Sequence, residues 1–447
     1  MPALFHESLY DRARFHPSYW AASTPEIKFP TLQHDLDCDV AIIGGGLNGL
    51  SAALHLVRDH QLSATVLEAG QIGWGASGRN AGFNTMPCSK LAPEVIFRNW
   101  GETDATAFFQ SQREGVELVY ALAHEEQFDV QPCGDGVFTV AHKRSAFQEL
   151  ETEHNWLRRA GIPSRLLSQD AFRESGHDGS EQFGALHLQL GGGINPLAFT
   201  NGLAAAAQRR GASIFAQSPV QQWHKQGSHH ELVTPQGKVR ARYLVIATNA
   251  YRDVLDMPVL DRRVLPAISN ILVTEPLSEN RWRGSAWHST SPISDTRQLL
   301  NYYRHLADGR LLFGARGSTT GHPKTDAAMQ AALLAAIQRK FPELGPVKAE
   351  FFWRGLVALT RKMIPTFGHL PDDASVFFNL GCFGNGINTM PWLGRSIARA
   401  IAGVTPTGAE NSSVYRALPA RLPPSRFLQR GSLQLAYLHY ALRDRFF

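Results

Sequence analysis

Several things are scarce in this 447-residue chain, and each scarcity excludes a class of protein. There are four cysteines, Cys38, Cys88, Cys133 and Cys382, and none forms a CxxC pair. So few thiols in so long a chain build no disulfide framework, and a reduced, cytoplasmic setting is expected. Eighteen histidines form no HxH or HExxH pattern, and the pair His229-His230 falls in a polar hairpin, so no metal site is expected. Lys plus Arg exceeds Asp plus Glu by only 44 − 39 = 5, and the charges are scattered. No basic block of the kind nucleic acid requires is present. The first 20 residues mix Asp11, Arg12 and Arg14 with aromatics and offer no signal-peptide core. The most apolar long stretch, 40–57, is broken by four glycines and Asn48, which argues against a membrane span. Internal repeats and low-complexity segments are also missing.

What is there is an ordinary globular composition, 43% hydrophobic and 19% charged, long enough for one large domain or two interleaved ones. Residues 39–43 read as a buried parallel strand, and Leu50, Ala53, Leu54 and Val57 recur at helical spacing after it. A second strand follows at 64–67 and closes on Glu68, completing a strand–helix–strand unit. Helices are expected at 91–130, 196–211, 326–339 and 391–402. Strands are expected at 137–140, 185–190, 213–216, 243–247 and 376–380, with a more antiparallel set at 271–274, 298–303, 310–314 and 349–353.

The first motif with chemistry in it is Gly44-x-Gly46-x-x-Gly49. With 39 glycines in the chain, three at these offsets arise by chance about 0.3 times, so the pattern alone decides nothing. Its context does. It follows a buried strand and opens a helix, and Glu68 ends the next strand 24 residues after Gly44. Gly44 permits the tight turn, Gly46 lets backbone approach a pyrophosphate, and Gly49 lets helix and strand pack closely. Leu47 and Asn48 open the helix whose N–H groups face the phosphates. Glu68, followed by Ala69, accepts from ribose hydroxyls. Next comes Gly73-Trp-Gly-Ala-Ser-Gly-Arg-Asn-Ala-Gly82, with four glycines in ten residues. A nicotinamide enzyme needs no such segment. An extended FAD does, because a second backbone stretch must run beside the diphosphate and the flavin ring. Gly75, Ala76, Ala81 and Gly82 leave room for it, while Ser77, Arg79 and Asn80 offer polar groups. A third glycine-rich stretch, Gly381 to Gly386, follows a strand and precedes a helix. Its N-terminus, at Gly384, Asn385, Gly386, Ile387 and Asn388, is expected to face the flavin pyrimidine, where it favours negative charge.

On these residues the chain resembles the FAD-dependent oxidoreductases of the D-amino-acid oxidase superfamily, in the branch of the gamma-glutamylputrescine oxidoreductases. The matching stretches are Ser18-Tyr-Trp20, Ala41-Ile-Ile-Gly-Gly-Gly46, Leu67-Glu-Ala69 and Gly75-Ala-Ser-Gly-Arg-Asn-Ala-Gly82. Further matches are Gly192-Gly-Ile-Asn-Pro196, Ala247-Thr-Asn-Ala-Tyr251, Asn301-Tyr-Tyr-Arg304, Gly309-Arg-Leu-Leu-Phe-Gly314 and Trp353-x-Gly355. The resemblance implies that Val220 holds the adenine side through its backbone, that Ala247 and Thr248 border the cofactor, and that FAD is noncovalent, since Gly355 stands at the position of the covalent cysteine. Two departures stand out: Gly384-Asn-Gly386 replaces Gly-His-Gly, and Asn388 replaces a lysine that pairs with the substrate carboxylate in relatives acting on N-methylglycine.

The expected architecture is α/β with an α+β substrate domain: a Rossmann-like FAD-binding domain (36–90, 185–262 and 365–425) interleaved with a mostly antiparallel substrate domain (91–184 and 263–364). Residues 1–35 form an N-terminal extension and 426–447, with Arg430, Arg443 and Arg445, an amphipathic tail. Tyr302, Tyr303 and Trp353 are expected to wall the substrate site, with Arg316 binding an anionic group. Cys382 is expected to be a buried small residue. The chemistry expected is oxidation of an amine C–N bond by hydride transfer to flavin N5, followed by hydrolysis of the imine. An apolar pocket favours the neutral amine, so no dedicated base is needed. The partners are a small amine and O2 or an electron carrier, with no nucleic acid, no transmembrane segment and at most peripheral contact between the tail and a membrane. Two alternatives differ in role: an amino-acid dehydrogenase feeding a respiratory carrier, and a flavin module acting on modified tRNA, which would require a basic face that the chain lacks. The amine, the acceptor and the oligomeric state are not encoded in motifs.

Overall fold

The computed structural model describes residues 4–251, 255 and 257–446. Two eight-stranded sheets share the chain. The first is built on β1 (Leu36–Ile43), β2 (Ala64–Leu67), β8 (Ser213–Phe215), β11 (Lys238–Ile246) and β18 (Asp373–Leu380), all parallel, in the order β8-β2-β1-β11-β18. The hairpin β9 (Gln222–Gln226) and β10 (His229–Val233) extends β11, and β17 (Thr366–Leu370) adds an antiparallel edge on β18. The half of β1 from Val40 to Ile43 is buried on both faces, as its continuous apolar run requires. Strand order switches sides at β1, with β2 and β8 on one side and β11 and β18 on the other, so the crevice at its C-terminal end is the place where such sheets take ligands.

The second sheet runs β16 (Ala349–Leu359), β12 (Leu265–Thr274), β15 (Leu311–Arg316), β14 (Tyr302–His305), β13 (Ile293–Asp295), β4 (Val137–Val140), β6 (Ala185–Leu188) and β5 (Ser164–Leu167). Every pair is antiparallel except β13 with β4. A small pair, β3 (Phe83–Asn84) and β7 (Gly192–Gly193), lies between the sheets.

The long helices are α2 (Leu47–His60), α3 (Pro93–Glu125), α4 (Arg144–Arg159), α6 (Pro196–Arg209), α8 (Asp326–Lys340), α9 (Gly386–Ile401) and α10 (Arg426–Phe446). The short ones are α1 (Tyr19–Ser23), α5 (Gln169–Ser175) and α7 (Glu279–Gly284).

Expectation and structure part in several places. β6 belongs to the second sheet, because its register with β4 and β5 carries it there, so the boundary expected at 185 moves past it. α3, expected in the substrate part, packs on α9 of the first sheet: Ser111 and Gln112 hydrogen-bond Tyr415, and Asn388 donates to Gln112. Residues 298–301 are not strand. α9 begins at Gly386, with Pro391 inside it. α4 was not expected, although Ala146, Leu150 and Leu157 fall on one helical face and are its buried residues. The N-terminal extension is packed into the molecule, with Trp20 Nε1 donating to Asn80 O at 2.8 Å. Phe447 and the Arg445 side chain lie outside the described residues.

Candidate active site

A cavity of about 800 Å3 starts at the C-terminal end of β1 and continues between the two sheets. Its two ends are built differently.

At the first end the wall is mostly backbone. Gly44 has φ +115°, and a Cβ there would stand 2.9 Å from Ala247 O, so only glycine turns the chain here. At Gly46 a Cβ would point at Ser77 Oγ, 2.8 Å away, into the cleft between the two glycine-rich segments. Gly49 does not line the cavity; its Cβ would meet Gly44 O at 2.1 Å, which is the helix-packing role its spacing predicted. Leu47 N, at the start of α2, donates to Ser77 Oγ at 3.0 Å, tying the two segments together. Both Glu68 oxygens accept from backbone, Gly45 N at 2.7 Å and Gly70 N at 2.8 Å. Burial pushes the Glu68 carboxyl up and these two N–H groups pull it back. Asn48, Ala69, Val220, Ala247 and Thr248 complete this end. Thr248 Oγ1 is buried with no hydrogen-bond partner among the described residues. Arg12, from the N-terminal segment, also lines it and stacks over Trp74 at 5.3 Å.

The second segment lines the cavity with Gly75, Ala76, Ser77, Arg79, Asn80 and Ala81. Two expectations change here. Arg79 is buried and donates to Trp74 O (2.8 Å) and Arg354 O (3.1 Å), with its guanidinium 4.4 Å from the Trp74 ring centre. A buried guanidinium without a carboxylate must take backbone carbonyls, so its donors hold the loop and do not reach for phosphate. Asn80 likewise bonds within the loop, to Ala76 O, Ser77 O and Gly82 N. Gly82 lies off the cavity; φ is +74° and a Cβ would meet Ile194 O at 2.0 Å.

In the third segment Gly384, Asn385 and Gly386 line the cavity at the N-terminus of α9, while Ile387 and Asn388 do not. One helical turn rotates them into the core, and Asn388 Nδ2 donates to Gln112 O at 3.3 Å. The expectation that Ile387 and Asn388 face the flavin is therefore corrected. Cys382 is buried, as expected, and it lines the cavity. Cys88, remote in sequence, donates to its carbonyl at 2.9 Å.

The far end is built from side chains. Tyr302 faces the cavity, its hydroxyl 2.8 Å from Ser269 Oγ and its ring edge-on to Phe83. Burial pushes its pKa up to about 12, so it stays protonated. Tyr303 and Trp353 do not line the cavity. Strand alternation turns Tyr303 to the opposite face, against His177 and Phe313, and Trp353 Nε1 donates to Arg79 O at 2.7 Å. Arg316 does line it and has no ion pair or side-chain hydrogen bond among the described residues. Sequence reading missed Lys90, although it is the one charged residue between Arg79 and Glu94. It too lines the cavity without a carboxylate partner among the described residues. Confinement there, and Arg316 nearby, lower its ammonium to about 8 even though its surface is open to cavity water. Glu94, Glu149 and Glu153 form another part of the wall. Burial and the two neighbouring carboxylates push Glu153 up to about 7.

The first end fits FAD: a cleft a Cβ would fill, a helix N-terminus for phosphate, a carboxylate at the end of β2, and an unpartnered buried hydroxyl at Thr248. Among the described residues no group of side chains fits a metal ion, and no helix is long and apolar enough to cross a membrane.

Comparison with known proteins agrees with that geometry. Residues 39–400 match the family described as FAD dependent oxidoreductase (DAO). The chain is 32% identical over 431 residues to gamma-glutamylputrescine oxidoreductase of Escherichia coli K12, covering 96% of this chain and 98% of that protein. It is 23% identical over 371 residues to glycine oxidase of Bacillus subtilis, covering 81% of this chain and 92% of that one. The crystal structure of glycine oxidase from Geobacillus kaustophilus superimposes with a TM-score of 0.72 at 20% identity, covering 87% of this chain and all of that one. The cradle, the two-sheet fold and the match over most of the chain lead to one assignment: this protein belongs to the DAO family of FAD-dependent oxidoreductases.

Proposed function

We propose that the enzyme oxidises the C–N bond of an extended amine that carries a carboxylate, of the gamma-glutamylated polyamine type. The observation behind this reading is the pair of cations, Lys90 and Arg316, left without carboxylate partners in the same cavity as the cofactor cradle. Two like charges held together in a confined space favour an anionic ligand, and charge-assisted hydrogen bonds to a carboxylate answer both. The acidic wall at Glu94, Glu149 and Glu153 suits a second, ammonium-bearing part of the same molecule. The likeness to gamma-glutamylputrescine oxidoreductase supports this choice of substrate.

When bound, FAD supplies the oxidant, accepting a hydride from the carbon beside the amine nitrogen. It would be held by the backbone from Gly44 to Asn48, by Glu68 and by the segment 75–81, with Thr248 beside it. The chain's own residues do the rest. Phe83, Met86, Ile271 and Tyr302 make an apolar wall that disfavours an ammonium, so the amine is presented neutral. The Tyr302 hydroxyl, held by Ser269, stays protonated and fixes the ring against Phe83. Lys90 and Arg316 anchor the carboxylate equally in the ground state and the transition state, which is uniform binding that lowers KM.

The test is anaerobic flavin bleaching with gamma-glutamylputrescine, putrescine, glycine and N-methylglycine, in the wild type and in Arg316→Met and Lys90→Met. One charge-assisted hydrogen bond is worth about 1.5–3 kcal/mol, so each variant should raise KM for gamma-glutamylputrescine roughly tenfold or more with kcat kept. Putrescine should be nearly unaffected. Efficient turnover of N-methylglycine, or an unchanged KM in both variants, rejects the reading.

A further inference from the structure

We infer that α10 docks the enzyme on an anionic lipid surface. Among the described residues six large hydrophobic side chains are exposed, and five are on this helix: Phe427 (82%), Leu428 (51%), Leu435 (69%), Leu438 (60%) and Leu442 (47%). At 100° per residue they fall in one stripe about 100° wide, running about 22 Å along the helix axis. An apolar stripe of this kind on a soluble fold marks an interaction surface.

The stripe is not a frayed end. The opposite face of α10 is fixed along its length: Leu433 is buried among Leu4, Phe5, Leu9 and Ile268, and Arg430 Nε donates to Leu4 O at 2.8 Å. Near the C-terminus Asp444 accepts from Gln298 N and Leu299 N at 2.7 and 2.9 Å, and His142 Nε2 lies 3.3 Å from Asp444 O. Packing therefore holds the apolar face outward.

Charge chooses the occupant. Apart from Arg430, which is turned inward to Leu4 O, the helix carries Arg426, Arg443 and Arg445 against one acid, Asp444, and that acid is turned inward to the backbone of residues 298–299, between β13 and β14. Lys143 joins the C-terminal end, donating to Arg443 O at 3.2 Å. A second copy of the chain, paired through the stripe about a two-fold axis, would set arginine-bearing ends against each other with no acid between them. An anionic bilayer offers the complementary charge along with an apolar layer deep enough to take leucine and phenylalanine, which is how an interfacial amphipathic helix binds. Because Arg443 also lines the active-site cavity, docking would bring the substrate end of the enzyme to the lipid surface.

The experiment uses the full chain with FAD bound, floated with vesicles of phosphatidylcholine alone or mixed with phosphatidylglycerol. Flotation should occur with the anionic vesicles and fall as salt rises. The double variant Leu435→Ser/Leu438→Ser should lower it at least tenfold, since both side chains are exposed and contribute little to the fold. Flavin absorbance and melting temperature, both unchanged, would verify that the variant is intact. No flotation of the wild type, equal flotation of the variant, or a wild-type dimer that the double variant dissociates would each overturn the inference.

Discussion

The two ends of one cavity contrast in construction. At the cofactor end the groups are mostly backbone amides, missing Cβ atoms and one carboxylate, delivered largely by the segments 44–48, 68–69 and 75–81, with Val220, Ala247 and Thr248 completing it. At the substrate end they are six side chains from five separate segments: Lys90 before α3, Glu94 in α3, Glu149 and Glu153 in α4, Tyr302 in β14 and Arg316 in β15. A backbone cradle tolerates almost no change of residue size, whereas a side-chain wall can change its charge and shape without moving the sheets beneath it.

The sharpest way to break the contrast is Gly46→Val. The backbone at Gly46 is extended, φ −97°, so the residue change itself is tolerated, but the side chain fills the cleft before Ser77. The expected product is a folded protein, by circular dichroism, that purifies without flavin. Bound FAD at full occupancy would refute the cradle. Glu68→Ala should come next. It removes the acceptor for Gly45 N and Gly70 N as well as for ribose, so FAD affinity should fall roughly ten- to hundredfold, with turnover at saturating FAD preserved.

At the substrate end the expected effects are smaller and depend on pH. Lys90 titrates near 8, so the KM of a carboxylate substrate should rise as pH increases through that value, and this rise should be absent in Lys90→Met. Glu153 is raised to about 7, so the fold prefers its protonated form. The stability of the wild type should drop as pH climbs from the ordinary glutamate range through 7. Glu153→Gln escapes that loss, and should melt higher than the wild type at pH 8 by about 1–2 kcal/mol in stability, with no difference at pH 4. Thermal melts of the two proteins across pH decide it. The smallest effect on function belongs to Trp353→Phe. It breaks the hydrogen bond to Arg79 O and should cost about 1 kcal/mol of stability, yet leave KM for every amine unchanged, because the ring lies off the cavity.

What the sequence determined by itself is the part of the protein whose chemistry is local. Gly44, Gly46, Gly49 and Glu68 sit at spacings dictated by one strand–turn–helix–strand, and the segment 73–82 follows directly, so this part of the cleft was legible from local sequence. Arg79 and Asn80 show the limit of that legibility: their presence in the loop was readable, but a buried guanidinium turns to whichever carbonyls the fold supplies, and those belong partly to Arg354, 275 residues away. Asn388 and Trp353 failed as expected site residues for a related reason. A side chain's facing depends on helix phase or strand register, and only packing against Gln112 or Arg79 sets it. The cations and acids of the substrate end were decided by tertiary structure alone, since Lys90 and Arg316 meet across 226 residues of chain through the pairing of β12 with β15 and the return of the segment before α3. Local order fixes where backbone can cradle a cofactor; long-range packing fixes which charges face the substrate.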